Sequence, residues 1–204
     1  MKSLIHHEYV SIGSQSAKYR IIMLHGWGAD FDDLIPVGQA ITENLKQEFQ
    51  IISIRAPNLC VNNSGRQWYK LFPADWVEAQ KEVKKLCESL IELGDQDISF
   101  KKTILFGFSQ GAAMALDSGL RLDLGLIIAC SGYPHPDWIP KRNCHVLLNH
   151  GKLDNIVPLS ASKEILSILN ENSIKNTQLH EFNGGHEINA NFIKVASEMI
   201  NEIF

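Results

Sequence analysis

Residues 103 to 119 constrain the fold more than any other stretch of this chain. Four apolar or β-branched residues, 103–106, lead into the pentapeptide Gly-Phe-Ser-Gln-Gly at 107–111, and small residues of helical character follow. This order predicts a strand, a sharp turn that carries Ser109, and a helix. Such a turn lifts a serine hydroxyl above the edge of a sheet, and the flanking glycines leave room for the neighbouring backbones. The helix N-terminus adds partial positive charge where an oxyanion would form.

The alternation of elements along the whole chain predicts an α/β fold. Continuously apolar runs such as 21–24 and 126–129 are typical of strands that are covered on both faces. Amphipathic stretches separate the apolar runs, so we expect a mostly parallel central sheet with helices on both faces and no large cap domain. Strands are expected near 8–12, 19–24, 50–54, 103–108, 124–130, 145–149 and 177–182. Apart from the helix after Ser109, helices are expected around 34–45, 79–93, 165–169 and 188–199.

Size and composition limit the kind of protein this can be. The 204 residues predict a single domain, 1–204, and 45% hydrophobic and 21% charged residues are typical of a soluble globular protein. A net charge of −4 with dispersed basic residues argues against a nucleic-acid partner. The sequence contains no apolar run suited to a signal peptide or a membrane span, which predicts a cytoplasmic protein without integral membrane association.

The four cysteines favour buried free thiols over disulfides. No pair shows CxxC spacing, and no histidine stands at a zinc-finger interval from them.

Residues 56–75 are an unusually long stretch without a hydrophobic period. Such loops are uncommon and often functional. This loop contains four large apolar side chains, which is unusual for a segment that faces solvent: Trp68, Tyr69, Leu71 and Phe72. Two interpretations stay open: the four side chains form a wall of a substrate pocket, or they seal the edge of the core.

A nucleophilic serine needs a base, and the base needs an orienting acid. The chain order of serine, acid, histidine that is found in α/β-hydrolases excludes the histidines before Ser109. Three later ones, at 145, 150 and 180, fall within or at the end of expected strands and are interpreted as structural. His186 follows Asn-Gly-Gly and precedes the last helix, so it lies in a loop beyond the final strand. His186 is therefore the candidate base.

The candidate acid is Asp154. It lies four residues past the end of an expected strand and before a helix that begins near Pro158. An ordinary turn aspartate is the structural alternative, because Asp-Asn is common in turns. Asp137 is a rival acid, although it comes one strand too early along the chain.

An oxyanion hole requires two preorganised backbone N–H donors. The amide of Gln110, directly after the serine, is one candidate. The other is expected in the turn His-Gly-Trp-Gly at 25–28, where glycines permit an N–H to point inward and make Trp27 the candidate donor. A purely structural tight turn is the alternative, and we expect His25 itself to be structural.

Taken together, these segments resemble the phospholipase/carboxylesterase family, which includes the acyl-protein thioesterases within the α/β-hydrolase superfamily. The resembling segments are 24–30, 55–57, 65–69, 107–111, 131–133, 150–158 and 184–188. The resemblance implies a triad of Ser109, Asp154 and His186, with oxyanion donors at Trp27 and Gln110. It also implies hydrolysis of esters or thioesters without metal or cofactor, by a monomer or homodimer. The eukaryotic thioesterases carry leucine where this chain has Trp27.

The resulting hypothesis is a serine hydrolase for esters or thioesters of short to medium acyl chains. We expect Trp68, Tyr69, Leu71 and Phe72 to contact the substrate. Two alternatives remain: a lysophospholipase or acyl-protein thioesterase that takes long acyl chains, and a non-enzymatic small-molecule receptor, since fold does not fix function.

Overall fold

A twisted eight-stranded sheet forms the centre of the protein. The computed structural model describes residues 1–61, 65–94, 98–174 and 176–204. The sheet runs in the order β1-β2-β4-β3-β7-β8-β9-β10, and β5 and β6 form a separate two-stranded sheet. The strands are β1 (Lys2–Ser3), β2 (Glu8–Ile12), β3 (Tyr19–Leu24), β4 (Phe49–Ile54), β5 (Asn58–Leu59), β6 (Arg66–Gln67), β7 (Thr103–Phe108), β8 (Leu126–Cys130), β9 (His145–Gly151) and β10 (Thr177–Phe182).

The sheet is mostly parallel, as the sequence predicts. Strands β4, β3, β7, β8, β9 and β10 all run in one direction, whereas β2 pairs antiparallel with β4 and β1 antiparallel with β2. All seven expected strands are present. Three have shifted ends: β4 begins at Phe49, β8 begins at Leu126, and β9 continues to Gly151.

In the described ranges, five α-helices cover the two faces of this sheet. They are α1 (Ile35–Thr42), α2 (Trp76–Gly94), α3 (Gln110–Gly119), α4 (Leu159–Glu171) and α5 (Ala190–Ile203), with a short 3₁₀ turn at Phe100–Lys102. Each α-helix falls on a stretch where the apolar spacing predicts one. Asn189 caps α5, because its side chain accepts the Phe192 amide at 2.8 Å.

Alternate side chains of the buried strands enter two separate cores. In β3, Ile22 and Leu24 join the cluster that packs against α2, α3 and α4, whereas Ile21 and Met23 join the cluster against α1 and α5. This alternation is the period of two expected of a strand covered on both faces.

The segment 56–75 contains more structure than the sequence suggests. Strands β5 and β6 form an antiparallel hairpin in which Asn58 pairs with Gln67 and Leu59 with Arg66. The prediction that this segment lacks regular structure is therefore wrong for its described part, and its residues 62–64 lie outside the described ranges. The hairpin is too short to give a hydrophobic period, which is why no strand pattern is visible in the sequence.

Parallel strands bring their carboxyl ends to one edge of the sheet, and that edge is open. The connection 131–144 between β8 and β9 forms no helix, as expected for a fold without a large cap. Among the described residues, no helix combines the length and apolar character needed to cross a bilayer.

Candidate active site

The candidate catalytic residues follow three parallel strands at the same sheet edge. Ser109 comes directly after β7, Asp154 three residues after β9, and His186 four residues after β10. Because Gly151 pairs with Phe182 in the sheet, the loops after β9 and β10 start side by side. The amide of Leu153 donates to the Gly184 carbonyl at 2.9 Å, which joins these two loops.

Ser109 occupies a strained backbone conformation between β7 and α3. Its φ of 54° and ψ of −117° are rarely adopted by a residue other than glycine. Its amide donates to the Cys130 carbonyl at 2.9 Å, and its carbonyl accepts from Ala112 at 3.0 Å, so both sides of the turn are fixed. These contacts hold the strained conformation, which is the backbone geometry typical of a nucleophilic serine turn.

The two glycines of the pentapeptide are required by close backbone approach. A Cβ on Gly107 would overlap the Gly111 carbonyl and lie 2.7 Å from the Ala112 Cα. A Cβ on Gly111 would overlap the Leu24 carbonyl oxygen. The turn after β7 therefore fits tightly against both α3 and the end of β3.

His186 and Asp154 form the hydrogen bond expected of an oriented base. The His186 Nδ1 lies 2.7 Å from Asp154 Oδ2. The other carboxylate oxygen, Oδ1, accepts the amides of Ile156 and Val157, both at 2.9 Å. Asp154 is thus held by its own loop and presents one oxygen to the histidine.

Asp154 is ionised in this environment. Burial alone would raise its pKa, but the hydrogen bonds from His186 and from the Val157 and Ile156 amides outweigh burial and place the pKa below its ordinary value. A carboxylate that accepts from Nδ1 fixes the tautomer in which Nε2 is free to accept a proton.

The loop after β10 reaches back over the sheet towards Ser109. The His186 ring packs against Phe108, the residue before the serine, with ring centroids 4.8 Å apart. Within the described chain, no hydrogen bond joins the Ser109 hydroxyl to His186, and such catalytic contacts are often long before a substrate binds. The structure thus brings His186 beside the serine turn and bonds it to Asp154. The rival acid, Asp137, is exposed on the β8–β9 connection instead.

The turn after β3 borders the serine on its other side. A Cβ built on Gly26 would lie 3.5 Å from the Ser109 Cβ, so 25–28 and the serine turn are in contact. The amides of Trp27 and Gln110 donate to no protein group in the described ranges, whereas Gly28 N–H is bonded to the Arg66 carbonyl at 2.8 Å. Two free N–H groups therefore stand at the site where an oxyanion hole is expected.

The buried histidines near the site are structural, as the sequence predicts. His25 donates Nδ1–H to the Gly26 carbonyl at 2.8 Å and accepts the Ala56 amide at Nε2 at 3.1 Å. Its burial lowers its pKa, which keeps the ring neutral in this arrangement. His150 is bonded to Ser162 Oγ at 2.6 Å and to the Val157 carbonyl at 2.8 Å, and so supports the loop of Asp154.

The four aromatic and apolar residues of the 56–75 segment do not share one role. Trp68 and Tyr69 are fully buried, so the prediction that they contact the substrate is corrected. The Trp68 indole donates to the His25 carbonyl at 2.9 Å, which fits the alternative in which this segment seals the core. Leu71 is half-buried, and Phe72 is 72% exposed.

Phe72 lies beside the turn after β3. Its ring meets the Trp27 ring edge-on, with centroids 5.4 Å apart, and Trp27 is 41% exposed. The Trp27 indole donates to Gln67 Oε1 at 3.0 Å, which orients its ring. This pair offers apolar surface next to the candidate oxyanion hole.

One supporting role is not visible in the sequence. The Gln110 side chain accepts the Trp68 amide at 3.0 Å and donates to the Tyr69 carbonyl at 2.8 Å, so it fixes the 56–75 segment beneath the site. The position of Gln110 in the pentapeptide is the only signal, because its partners lie more than 40 residues away.

Comparison with known proteins agrees with this geometry. The sequence profile described as phospholipase/carboxylesterase matches residues 5–204. The chain is 26% identical to acyl-protein thioesterase 1 of Debaryomyces hansenii, over 100% of this chain and 99% of that protein. It is 26% identical to acyl-protein thioesterase 1 of Eremothecium gossypii, over 94% of this chain and 90% of that protein.

Solved structures give the same result. The esterase PE8 superposes with a TM-score of 0.88 at 32% identity, covering 98% of this chain and 100% of that one. The Bacillus cereus carboxylesterase superposes with a TM-score of 0.83 at 22% identity, covering 98% of this chain and 96% of that one. At this identity the likeness supports the fold alone. The expected α/β-hydrolase fold is thus confirmed, and the chain belongs to the phospholipase/carboxylesterase family.

Proposed function

We propose that this protein is a serine hydrolase that cleaves carboxylic esters or thioesters through an acyl-enzyme intermediate on Ser109. The observation that carries the proposal is the 2.7 Å bond between Asp154 and His186, whose ring packs at 4.8 Å against the residue preceding a strained serine. The names of the relatives, acyl-protein thioesterase and esterase, support the same class of substrate.

His186 acts as the base in this mechanism. Asp154 holds Nδ1–H, so Nε2 takes the proton of Ser109 as the serine oxygen attacks the carbonyl carbon. The resulting imidazolium is stabilised by the ionised carboxylate. His186 then gives the proton to the leaving alcohol or thiol, and a water molecule repeats the sequence to release the acid.

The Trp27 and Gln110 amides stabilise the charge on the carbonyl oxygen. Neither amide is used by the protein in the described ranges, and Gln110 also begins α3, whose N-terminus carries partial positive charge. Backbone donors that are already in place need no reorganisation as the charge develops, which makes them effective in the transition state.

The substrate is a short to medium acyl ester or thioester. The exposed edge-on pair of Trp27 and Phe72 supplies apolar surface beside the oxyanion donors, and each covered methylene contributes about 0.8 kcal/mol. The connection 131–144 adds no helical cap that would extend this apolar surface. The bulky Trp27 ring occupies space beside the oxyanion donors, which supports a limit on the length of the acyl chain.

The cellular setting is proposed on separate grounds. The four cysteines are all free, which supports the reducing environment of the cytoplasm. A monomer or a homodimer is proposed as the working assembly, and a small acylated molecule or acylated protein as the substrate.

Replacement of the serine tests the proposal directly. Ser109→Ala should lower kcat for p-nitrophenyl butyrate by about 10⁶-fold, as measured for triad serines elsewhere. Ser11→Ala, in β2 and far along the sheet from β7, is a matched control that should keep the native rate. A folded Ser109→Ala protein with native activity would contradict the assignment.

A further inference from the structure

A cavity lies outside the candidate triad, on the face of the sheet that α2, α3 and α4 cover. It has a volume of about 480 Å³ and is bounded by the start of α2, the β8–β9 connection and α4. Five side chains give it its chemical character: Trp76, Tyr133, Asp137, Trp138 and Glu164. Nothing in the proposed reaction uses this space.

Three aromatic rings line this cavity. The ring centroids of Trp76 and Tyr133 lie 6.0 and 6.4 Å from that of His135. Trp138 is fixed next to them, because its amide donates to the His135 carbonyl at 3.3 Å. Several aromatic faces around one small volume attract an organic cation through their quadrupoles, most effectively when tryptophan is present.

The charges that line the cavity have one sign. Asp137 and Glu164 are exposed carboxylates, and neither forms an ion pair or hydrogen bond within the part of the chain that the structure describes. The described lining contains no lysine or arginine. The cavity therefore has two uncompensated negative charges at its mouth and favours a positive ligand.

A buried hydrogen-bond chain runs from Asp117 to Tyr133 at the cavity wall. Asp117 bonds to His135 Nδ1 at 2.9 Å, and His135 Nε2 lies 3.1 Å from the Tyr69 hydroxyl. The Tyr69 hydroxyl in turn lies 2.7 Å from the Tyr133 hydroxyl, so the chain ends at a tyrosine that lines the cavity.

The charged end of this chain is fixed. Arg121 bonds to Asp117 at 2.8 Å, and this bond and the one from His135 outweigh burial to lower the pKa of Asp117. Burial raises the pKa of Tyr133 to about 12, although its bond to Tyr69 opposes this, so the phenol keeps its proton. The chain therefore holds the neutral Tyr133 ring in place at the cavity wall.

Trp138 supplies a complementary donor. Its side chain is almost completely buried, at 7% exposed, and its indole nitrogen has no acceptor among the described residues. A buried donor of this kind is normally satisfied by a ligand oxygen or an ordered water. The cavity thus combines aromatic rings and carboxylates that favour a cation with one unused N–H donor for a ligand oxygen.

We propose that this cavity binds an alkylated ammonium cation that carries a nearby oxygen, such as a quaternary ammonium alcohol. The aromatic faces hold the alkyl groups, Asp137 and Glu164 balance the charge, and the Trp138 indole donates to the oxygen. This site goes beyond the proposed hydrolysis and is independent of Ser109.

Isothermal titration calorimetry tests the proposal by comparing choline with an uncharged analogue of the same shape. Choline should bind saturably with one site, and 3,3-dimethylbutan-1-ol should bind at least about fivefold more weakly, because only the charged ligand gains the cation–π contribution. Absence of choline binding, or equal affinity for the two alcohols, would overturn the proposal. Because the readout is heat of binding, failure would leave the hydrolase proposal untouched.

Two variants locate the binding in this cavity. Glu164→Gln should weaken choline binding about threefold, and Trp76→Leu about fivefold, with the fold of each checked by circular dichroism. Glu198→Gln, on α5 at the opposite face of the sheet, is the charge-matched control and should bind like the native protein. Equal affinity in the native protein and both cavity variants would show that choline binds elsewhere and would also overturn the assignment.

Discussion

His186 Nδ1 lies 2.7 Å from Asp154 Oδ2, while Asp154 Oδ1 accepts two amides of its own loop. The two oxygens therefore have separate roles: one fixes the loop, and the other orients the base. An asparagine in this position would keep the loop contacts through its carbonyl oxygen but would place its uncharged NH₂ group, a donor, against the histidine.

Asp154→Asn should lower kcat by about 10⁴-fold with little change in stability, because the wrong tautomer of His186 becomes favoured. Steady-state hydrolysis of p-nitrophenyl butyrate measures the effect. Asp123→Asn, which removes only an exposed ion pair with Lys101, is the control and should retain native kinetics. A loss of tenfold or less in the Asp154 variant would mean that His186 is oriented by another group.

Gly111 and Gly185 should respond differently to the same substitution. A Cβ on Gly111 would overlap the Leu24 carbonyl, whereas a Cβ on Gly185 would have no atom within 4 Å. Gly111→Ala should therefore lower the free energy of unfolding by about 3 kcal/mol or more, and Gly185→Ala by less than about 1 kcal/mol. Urea unfolding of both variants makes the comparison. Similar stabilities would show that the serine turn is not tightly packed against β3.

The buried His7 should make stability depend on pH. Burial, with smaller effects from the charges of His6 and Lys85, lowers its pKa to about 4, against about 6.5 for an unfolded chain. The folded state thus favours the neutral ring. The stabilisation is complete above about pH 6.5 and is lost as the pH falls towards 4, about 2–3 kcal/mol at pH 4.5.

Urea unfolding at pH 7 and about pH 4.5 measures this loss, and NMR titration of the His7 ring gives its pKa directly. His7→Gln should show a smaller decrease over the same interval. A His7 that titrates near its ordinary pKa, or an identical decrease in the variant, would contradict the explanation.

Substitutions of Phe72 and Trp68 should distinguish a residue that contacts the substrate from one that supports the fold. Phe72→Ala removes an exposed ring that touches Trp27, so the ratio of kcat/KM for octanoate to that for acetate esters should fall about fivefold. Trp68→Ala leaves a cavity in the core and should cost about 3–5 kcal/mol of stability. A Trp68 variant of native stability with altered chain-length preference would restore the role that the sequence suggests for this residue.

The sequence predicts the elements and the order of the candidate triad well, because both are expressed in local patterns. The apolar period identifies β7 and α3, and the position of each polar residue just beyond a strand end identifies Ser109, Asp154 and His186 as neighbours at one sheet edge.

The burial of Trp68 could not be predicted in this way. Its amide bonds to Gln110 and its indole to His25, residues 42 and 43 positions away in the chain, so no local pattern distinguishes it from exposed Phe72. The chain of Tyr69, Tyr133, His135 and Asp117 escaped sequence analysis for the same reason, because it joins three separate segments.

Covalent labelling shows whether Ser109 is an activated nucleophile. A fluorophosphonate reacts only with a serine that a neighbouring base activates, and the adduct can be assigned to one peptide by mass spectrometry. We expect stoichiometric modification of Ser109 in the native protein and loss of labelling in Ser109→Ala. Folded protein that stays unlabelled, or that is labelled at a different serine, would contradict it.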